Sequence, residues 1–177
     1  MNAWHDIAVG KDQPKIVNAI IEIPKNSSVK YELDKDSGLL MLDRHMHSAV
    51  YYPMDYGFIP KTYCDDKDPL DIFLIGTAPT YPLTLCEAKV LGVIKMIDDG
   101  EQDDKIIAVH AGDHIFKEWD SLDDVPKHMI AQLKNFLQTY KILKGDEVIV
   151  SDILGKEEAY KVVTEAIALY KSDIQKE

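Results

Sequence analysis

The apolar positions change period about two-thirds of the way along the chain. In the first part they fall in short runs separated by Gly, Pro, Asn, Asp and Ser, which is the pattern of strands and turns. These runs predict strands over Ile16–Ile23, Val29–Leu33, Leu39–Asp43, Ala49–Tyr52, Asp71–Ile75, Lys89–Ile97 and Lys105–Val109. Later, Met129, Ile130, Leu133, Phe136, Leu137 and Tyr140 recur at helical spacing after Pro126, a residue suited to a first helical turn. A second helix is expected after Gly155, with Ala159, Val162, Val163, Ala166, Ile167 and Tyr170 on one stripe. Strands first and helices last predict one α+β domain over residues 1–177 with a closed or strongly curved sheet.

Charge narrows the possibilities. The 177 residues carry 20 Lys and Arg against 31 Asp and Glu, a net charge of −11. Such a chain is not a nucleic-acid or anionic-membrane binder, because those partners call for an excess of cations. Cys64 and Cys86 show no CxxC spacing and fit reduced thiols in a cytoplasmic protein. The first residues lack the apolar core of a signal peptide, and no apolar run approaches the roughly 20 residues that span a bilayer.

The negative charge is unevenly spread. DDKDPLD, residues 65–71, enters a predicted apolar strand directly. At an effective dielectric of about 20, two carboxylates about 5 Å apart repel by roughly 3 kcal/mol, so the cluster is either splayed into water or neutralised by cations. Asp66, Asp68 and Asp71 supply hard oxygen donors suited to Mg²⁺, and Pro69 stiffens the segment. A second acidic turn, DDGEQDD over residues 98–104, links two further predicted strands. Each turn alone reads equally as a solvated surface connection. Mounted on neighbouring strand ends, the two could share metal ions.

Cations and phenols are dispersed among the predicted elements: Lys30, Arg44, Lys105 and Lys141, with Tyr31, Tyr52, Tyr56 and Tyr140. These groups donate to phosphate oxygens, which carboxylates cannot do without an intervening metal. Glu22 is unusual within AIIEIP. No Gly-rich phosphate loop, HExxH zinc motif or G-x-S-x-G elbow is present.

Five segments in order, IEIPKNSSVKYELDKDSG, DRHMHSAVYYPMDYGFIP, DDKDPLDIFL, GVIKMIDDGEQDDK and TYK, resemble family I soluble inorganic pyrophosphatases over about residues 15–145. The resemblance implies a small closed five-stranded OB-like β-barrel with two C-terminal helices packed outside. It implies Mg²⁺-dependent hydrolysis of pyrophosphate to two orthophosphates by direct attack of a metal-bridged water or hydroxide, with several ions per site. It places Asp66, Asp71 and Asp103 as metal-bridging ligands and Asp98 and Glu32 as ligands of further ions. Glu22 and Asp99 fall behind them. Lys30, Arg44, Tyr52, Lys105, Tyr140 and Lys141 become substrate-binding groups, Asp68 the general base and Tyr56 the phenol beside it, also facing substrate. A cytoplasmic homohexamer is the expected assembly.

Two positions depart from the family pattern. Lys67 stands where a small residue, commonly glycine, is usual, and Asp99 where many relatives carry glutamate. Two rival readings are an aspartate-nucleophile phosphatase and a non-enzymatic divalent-cation module. The first wants Thr or Val where Leu70 stands, and the second, as an EF-hand starting at Asp66, wants glycine and glutamate where Asp71 and Thr77 stand.

Overall fold

The computed structural model describes residues 2–174. Nine strands and two helices follow in the order β1 (Ile16–Ile23), β2 (Val29–Leu33), β3 (Leu40–His45), β4 (Asp55–Phe58), β5 (Asp71–Ile75), β6 (Leu85–Asp98), β7 (Glu101–Gln102), β8 (Lys105–His110), α1 (Lys127–Thr139), β9 (Val148–Gly155) and α2 (Lys156–Asp173). Pairing runs β1-β4-β5-β8-β6 and returns from β6 to β1, closing a five-stranded ring. This is the OB-like barrel. The β5–β8 pair is parallel and the other pairs of the ring antiparallel. Closure needs β1 and β4 to approach very closely at Gly57, where an added Cβ would lie 1.8 Å from the Ile20 carbonyl oxygen.

After Asp71 and Lys105 at their starts, strands β5 and β8 run apolar through Ile75 and Val109 because both of their faces are covered. Ile72, Leu74, Ile106 and Ala108 share a core with Ala159, Val162, Val163, Ala166 and Ile167 of α2. The alternate residues Phe73, Ile75, Ile107 and Val109 join Leu133, Phe136 and Leu137 of α1 and Tyr140 just beyond its end. No helix among the described residues is long and apolar enough to cross a membrane.

Three sequence expectations are corrected. Residues 49–52 are not a strand: Tyr52 exchanges backbone hydrogen bonds with the turn at Asn26 and Ser27, and Pro53 follows it without an N–H. Its apolar character comes from burial of its ring against Tyr56 and Phe136. The strand in this region is β4, six residues later than the expected start. Helices do not simply follow strands either, because β9 lies between α1 and α2 and pairs with β6. Finally, β6 starts four residues earlier than Lys89, since Leu85–Lys89 pair with β1 and close the ring.

The β2–β3 hairpin forms its own two-stranded sheet and is tied to the barrel by Glu22 of β1. Glu22 is 8% exposed, and its Oε1 accepts the Leu33 N–H at 2.7 Å. Burial pushes its carboxyl up from 4.5 to about 8, opposed by the Leu33 hydrogen bond and reinforced by Asp71 and Glu32. The folded protein therefore binds more protons than the unfolded chain between those two values, and stability falls as pH rises through that window. Glu22→Gln keeps an acceptor for Leu33 and removes the titration. In EDTA, urea unfolding between pH 5 and 8.5 should show a shallower loss of stability for Glu22→Gln than for the parent; parallel curves would contradict the assignment.

Candidate active site

The two acidic turns and the dispersed cations meet in one cleft of about 280 Å³. The β2–β3 hairpin brings Lys30, Glu32 and Arg44. The chain entering β4 brings Tyr52, and β4 itself Tyr56. The loop into β5 supplies Asp66, Asp68 and Asp71, the β6–β8 connection supplies Asp98, Asp103 and Lys105, and the end of α1 supplies Tyr140 and Lys141. All of these, with Glu22, line the cleft. Of the residues singled out in the sequence as site candidates, Tyr31 is not among the lining ones, and neither is Asp99. It is exposed and occupies the left-handed turn position (φ 50°) of the β6–β7 hairpin.

Lys105 is the centre of the acidic wall. Its side chain is 4% exposed, and Nζ donates to Asp71 Oδ2 at 2.6 Å and to Asp103 Oδ1 at 2.9 Å. The parallel register sets Asp71 beside Lys105 at the first positions of β5 and β8. The Tyr56 hydroxyl donates to the same Asp71 oxygen and lies 3.3 Å from Lys105 Nζ. Burial disfavours the ammonium, but Asp71 and Asp103 more than reverse this and hold it protonated. Burial also raises the phenols of Tyr52, Tyr56 and Tyr140, which keeps them hydrogen-bond donors.

Across the cleft Lys141 pairs with Asp98, and Tyr140 Oη donates to Asp98 Oδ2 at 3.3 Å. Lys30 pairs with Glu32 and approaches Asp43 at 3.3 Å, while Arg44 Nη1 donates to Asp43 Oδ2 at 2.7 Å. Asp43, which joins both hairpin cations, carried no signal in the sequence, since one acid in an alternating hairpin resembles any wet-face residue. Lys35 and Trp4 also line the cleft and were equally unmarked.

The donor set fits divalent cations. Every candidate ligand offers hard oxygens. Desolvation, reinforced by Asp71, Asp103 and Asp68, raises Asp66 to about 6 against the hydrogen bond it accepts from the Asp68 N–H. Desolvation likewise raises Asp103, with Lys105 opposing and Asp71 and Asp98 adding. Asp66 has no ion-pair partner among the described residues, and for Asp103 the single Lys105 ammonium, shared with Asp71, does not outweigh burial and the neighbouring acids. Buried Asp98 Oδ1 has no hydrogen-bond partner, and neither has buried Arg44 Nη2, leaving one unmet acceptor and one unmet donor. Among the described residues no three His, Cys, Asp or Glu side chains are drawn into a ready-made ligand set. Lysines are the present partners of Asp71, Asp98 and Asp103.

Known proteins with this sequence and fold agree with each other. The family model for inorganic pyrophosphatase matches residues 19–171. Soluble inorganic pyrophosphatase 2 of Chlamydomonas reinhardtii is 48% identical over 168 residues, covering 95% of this chain and 88% of the relative. Soluble inorganic pyrophosphatase 4 of Arabidopsis thaliana is 44% identical, covering 94% of this chain and 77% of the relative. The crystal structure of inorganic pyrophosphatase from Thermus thermophilus superposes with a TM-score of 0.93 at 37% identity, over 97% of this chain and 99% of that one. With nearly its whole length matched in both sequence and fold, this chain belongs to the inorganic pyrophosphatase family.

Proposed function

We propose that this cleft hydrolyses inorganic pyrophosphate to two orthophosphates with Mg²⁺ as cofactor, the whole chain acting as one cytoplasmic catalytic domain. The observation that carries the reading is the charge of the lining. Seven carboxylates face five basic side chains in a small cleft. On its own such a lining repels a polyanion, yet Arg44, Lys30 and Lys141 are placed among the acids where they can grip one. Cations held by the acids reverse that balance.

In this reading Asp66, Asp71 and Asp103 would hold the first metal ions and Asp98 and Glu32 further ions that come with substrate, with Glu22 behind them; exposed Asp99 in the hairpin turn is too far outside the lining to take the supporting place expected for it. When bound, such ions supply positive charge for the substrate oxygens and make water acidic enough to serve as a nucleophile near neutral pH. Lys30, Arg44, Lys105 and Lys141 neutralise phosphoryl oxygens, and charge stabilised where it develops is the main source of rate in phosphoryl transfer. The phenols of Tyr52, Tyr56 and Tyr140 remain protonated; Tyr52 would donate to the same oxygens, and so would Tyr140 in exchange for Asp98, while Tyr56 gives its one proton to Asp71. Asp68 takes the proton from the attacking water, with Tyr56 fixed nearby through Asp71. No covalent phosphoenzyme is needed.

With Mg²⁺ the protein should release phosphate from pyrophosphate and almost none from p-nitrophenyl phosphate, and excess EDTA should abolish the release. Comparable rates on both substrates would favour an aspartate-nucleophile phosphatase. No release at all beside intact Mg²⁺ binding would favour a non-enzymatic module.

Roles within the acidic loop separate by metal dependence. Asp66→Asn and Asp71→Asn should need more Mg²⁺ for half-maximal activity and recover partly at high Mg²⁺. Asp68→Asn should lose roughly 10²–10⁴-fold in kcat with little change in that Mg²⁺ requirement, the usual worth of a general base. A Mg²⁺ titration that rescued Asp68→Asn would reassign it as a ligand.

We further propose a homohexamer. Leu39, Met41, Leu42 and Tyr81 are large apolar side chains at least half exposed, and a neighbouring copy that covered them would take this apolar surface out of water. Light scattering at micromolar concentration should give about six chain masses; a monomer would refute this assembly.

A further inference from the structure

Lys35 has no part in the roles above, yet three distant segments meet at its ammonium. Nζ pairs with Asp68 and lies 3.5 Å from the Lys67 carbonyl oxygen. On the other side it stands over the Trp4 indole, 5.5 Å from the ring centroid. Trp4 is 5% exposed, and its Nε1 donates to the Thr62 carbonyl at 2.8 Å. The Lys35 backbone is held as well, because its carbonyl accepts from Asn2 Nδ2 at 3.1 Å. The N-terminal segment, the hairpin and the stretch leading to the acidic loop are therefore joined at one place on the rim of the cleft.

A half-exposed lysine–carboxylate pair adds little to folding, because water screens it and two side chains lose freedom. Here the indole seats the ammonium before the carboxylate is counted. Only one oxygen of Asp68, Oδ1, takes the lysine. The other has no hydrogen-bond partner among the described residues, so one oxygen is anchored and one is left for a proton.

The geometry points to Lys35 as a positioning residue for Asp68, with Trp4 as its seat. By gripping Oδ1, Lys35 fixes the orientation in which the second oxygen meets the attacking water, since small misplacements of a catalytic group are costly in rate. This inference rests on the reading of Asp68 as general base.

Lys35→Met keeps the stem and removes the charge. At saturating Mg²⁺ it should lower kcat about tenfold, less than the loss of a whole general base, with KM for magnesium pyrophosphate within about twofold. Lys35→Arg should recover most of the rate. In an Asp68→Asn background, Lys35→Met should change kcat by less than about twofold, because a residue acting through another shows no separate effect once its partner is gone. With Trp119→Phe removing the other tryptophan, Trp4 emission should change on Lys35→Met.

An unaltered kcat in Lys35→Met beside a disabled Asp68→Asn would overturn the positioning role alone. So would a tenfold loss that persists in the Asp68→Asn background, and a rise in KM without a fall in kcat would make Lys35 a substrate contact instead. A parental rate in Asp68→Asn itself would overturn the general-base reading on which the inference stands.

Discussion

The site depends on burying one ammonium inside a barrel. Lys105 is 3% exposed, and taking a lone charge out of water costs several kcal/mol even after relaxation. Asp71, Asp103 and Tyr56 offset that cost; strand register delivers Asp71 and Tyr56, and the link into β8, pinned by the Asp103 N–H on the Met96 carbonyl, delivers Asp103. The parallel β5–β8 pair sets Asp71 beside Lys105, and the antiparallel β4–β5 pair sets Tyr56 against Phe73. A slip of one residue in either pair would turn these groups to the other face. The apolar runs Ile72–Ile75 and Ile106–Val109, buried on both sides, fix the register. Ordinary core packing therefore aims the charged groups of the cleft.

The same arrangement makes the charge network a poor source of stability and a good source of function. Buried ion pairs roughly break even against apolar replacements of similar volume, whereas loss of one partner costs about 3–5 kcal/mol. The network gains its value when ligands arrive. Asp66 and Asp103 are held at raised proton affinity by desolvation and by the acids around them, which for Asp103 outweighs the opposing Lys105, so the acidic wall is short of positive charge. Arg44 Nη2 and Asp98 Oδ1 are likewise unmet. The protein folds into a state in which both signs of charge are left wanting a partner.

How much of this was legible depended on how local the cause was. Strands β1, β2 and β5 match their expected bounds, because each is an apolar or alternating run ended by turn residues. β4 is four residues long and contains Gly57, whose need for close approach to β1 is a tertiary fact. β9 is half exposed and was hidden in a stretch without a clear period. The acidic loops and the cations were visible as residue types, and family order implied that they converge. The links between them were not visible: that Lys105 serves two aspartates, or that Asp43 joins Lys30 to Arg44, follows from hairpin and barrel geometry rather than from any spacing.

Lys67 shows where pattern and physics meet. Its φ of 69° lies in the left-handed region, the conformation to which the glycine expected from the family pattern is suited. A lysine in that conformation costs roughly 1–2 kcal/mol, and it persists because the surrounding turn is over-determined. The Cys64 N–H donates to the Asp68 carbonyl, the Lys67 N–H donates to the Cys64 carbonyl, and the Asp68 N–H donates to Asp66 Oδ1. Pro69 then fixes the exit. Three hydrogen bonds within five residues leave the turn no cheaper conformation, so the side chain at position 67 can change while the backbone stays. The exposed Lys67 side chain points its charge to solvent at little electrostatic cost. Strain is thus tolerated at a residue whose side chain faces solvent, and the loop keeps Asp66 and Asp68 in fixed relation on either side of it.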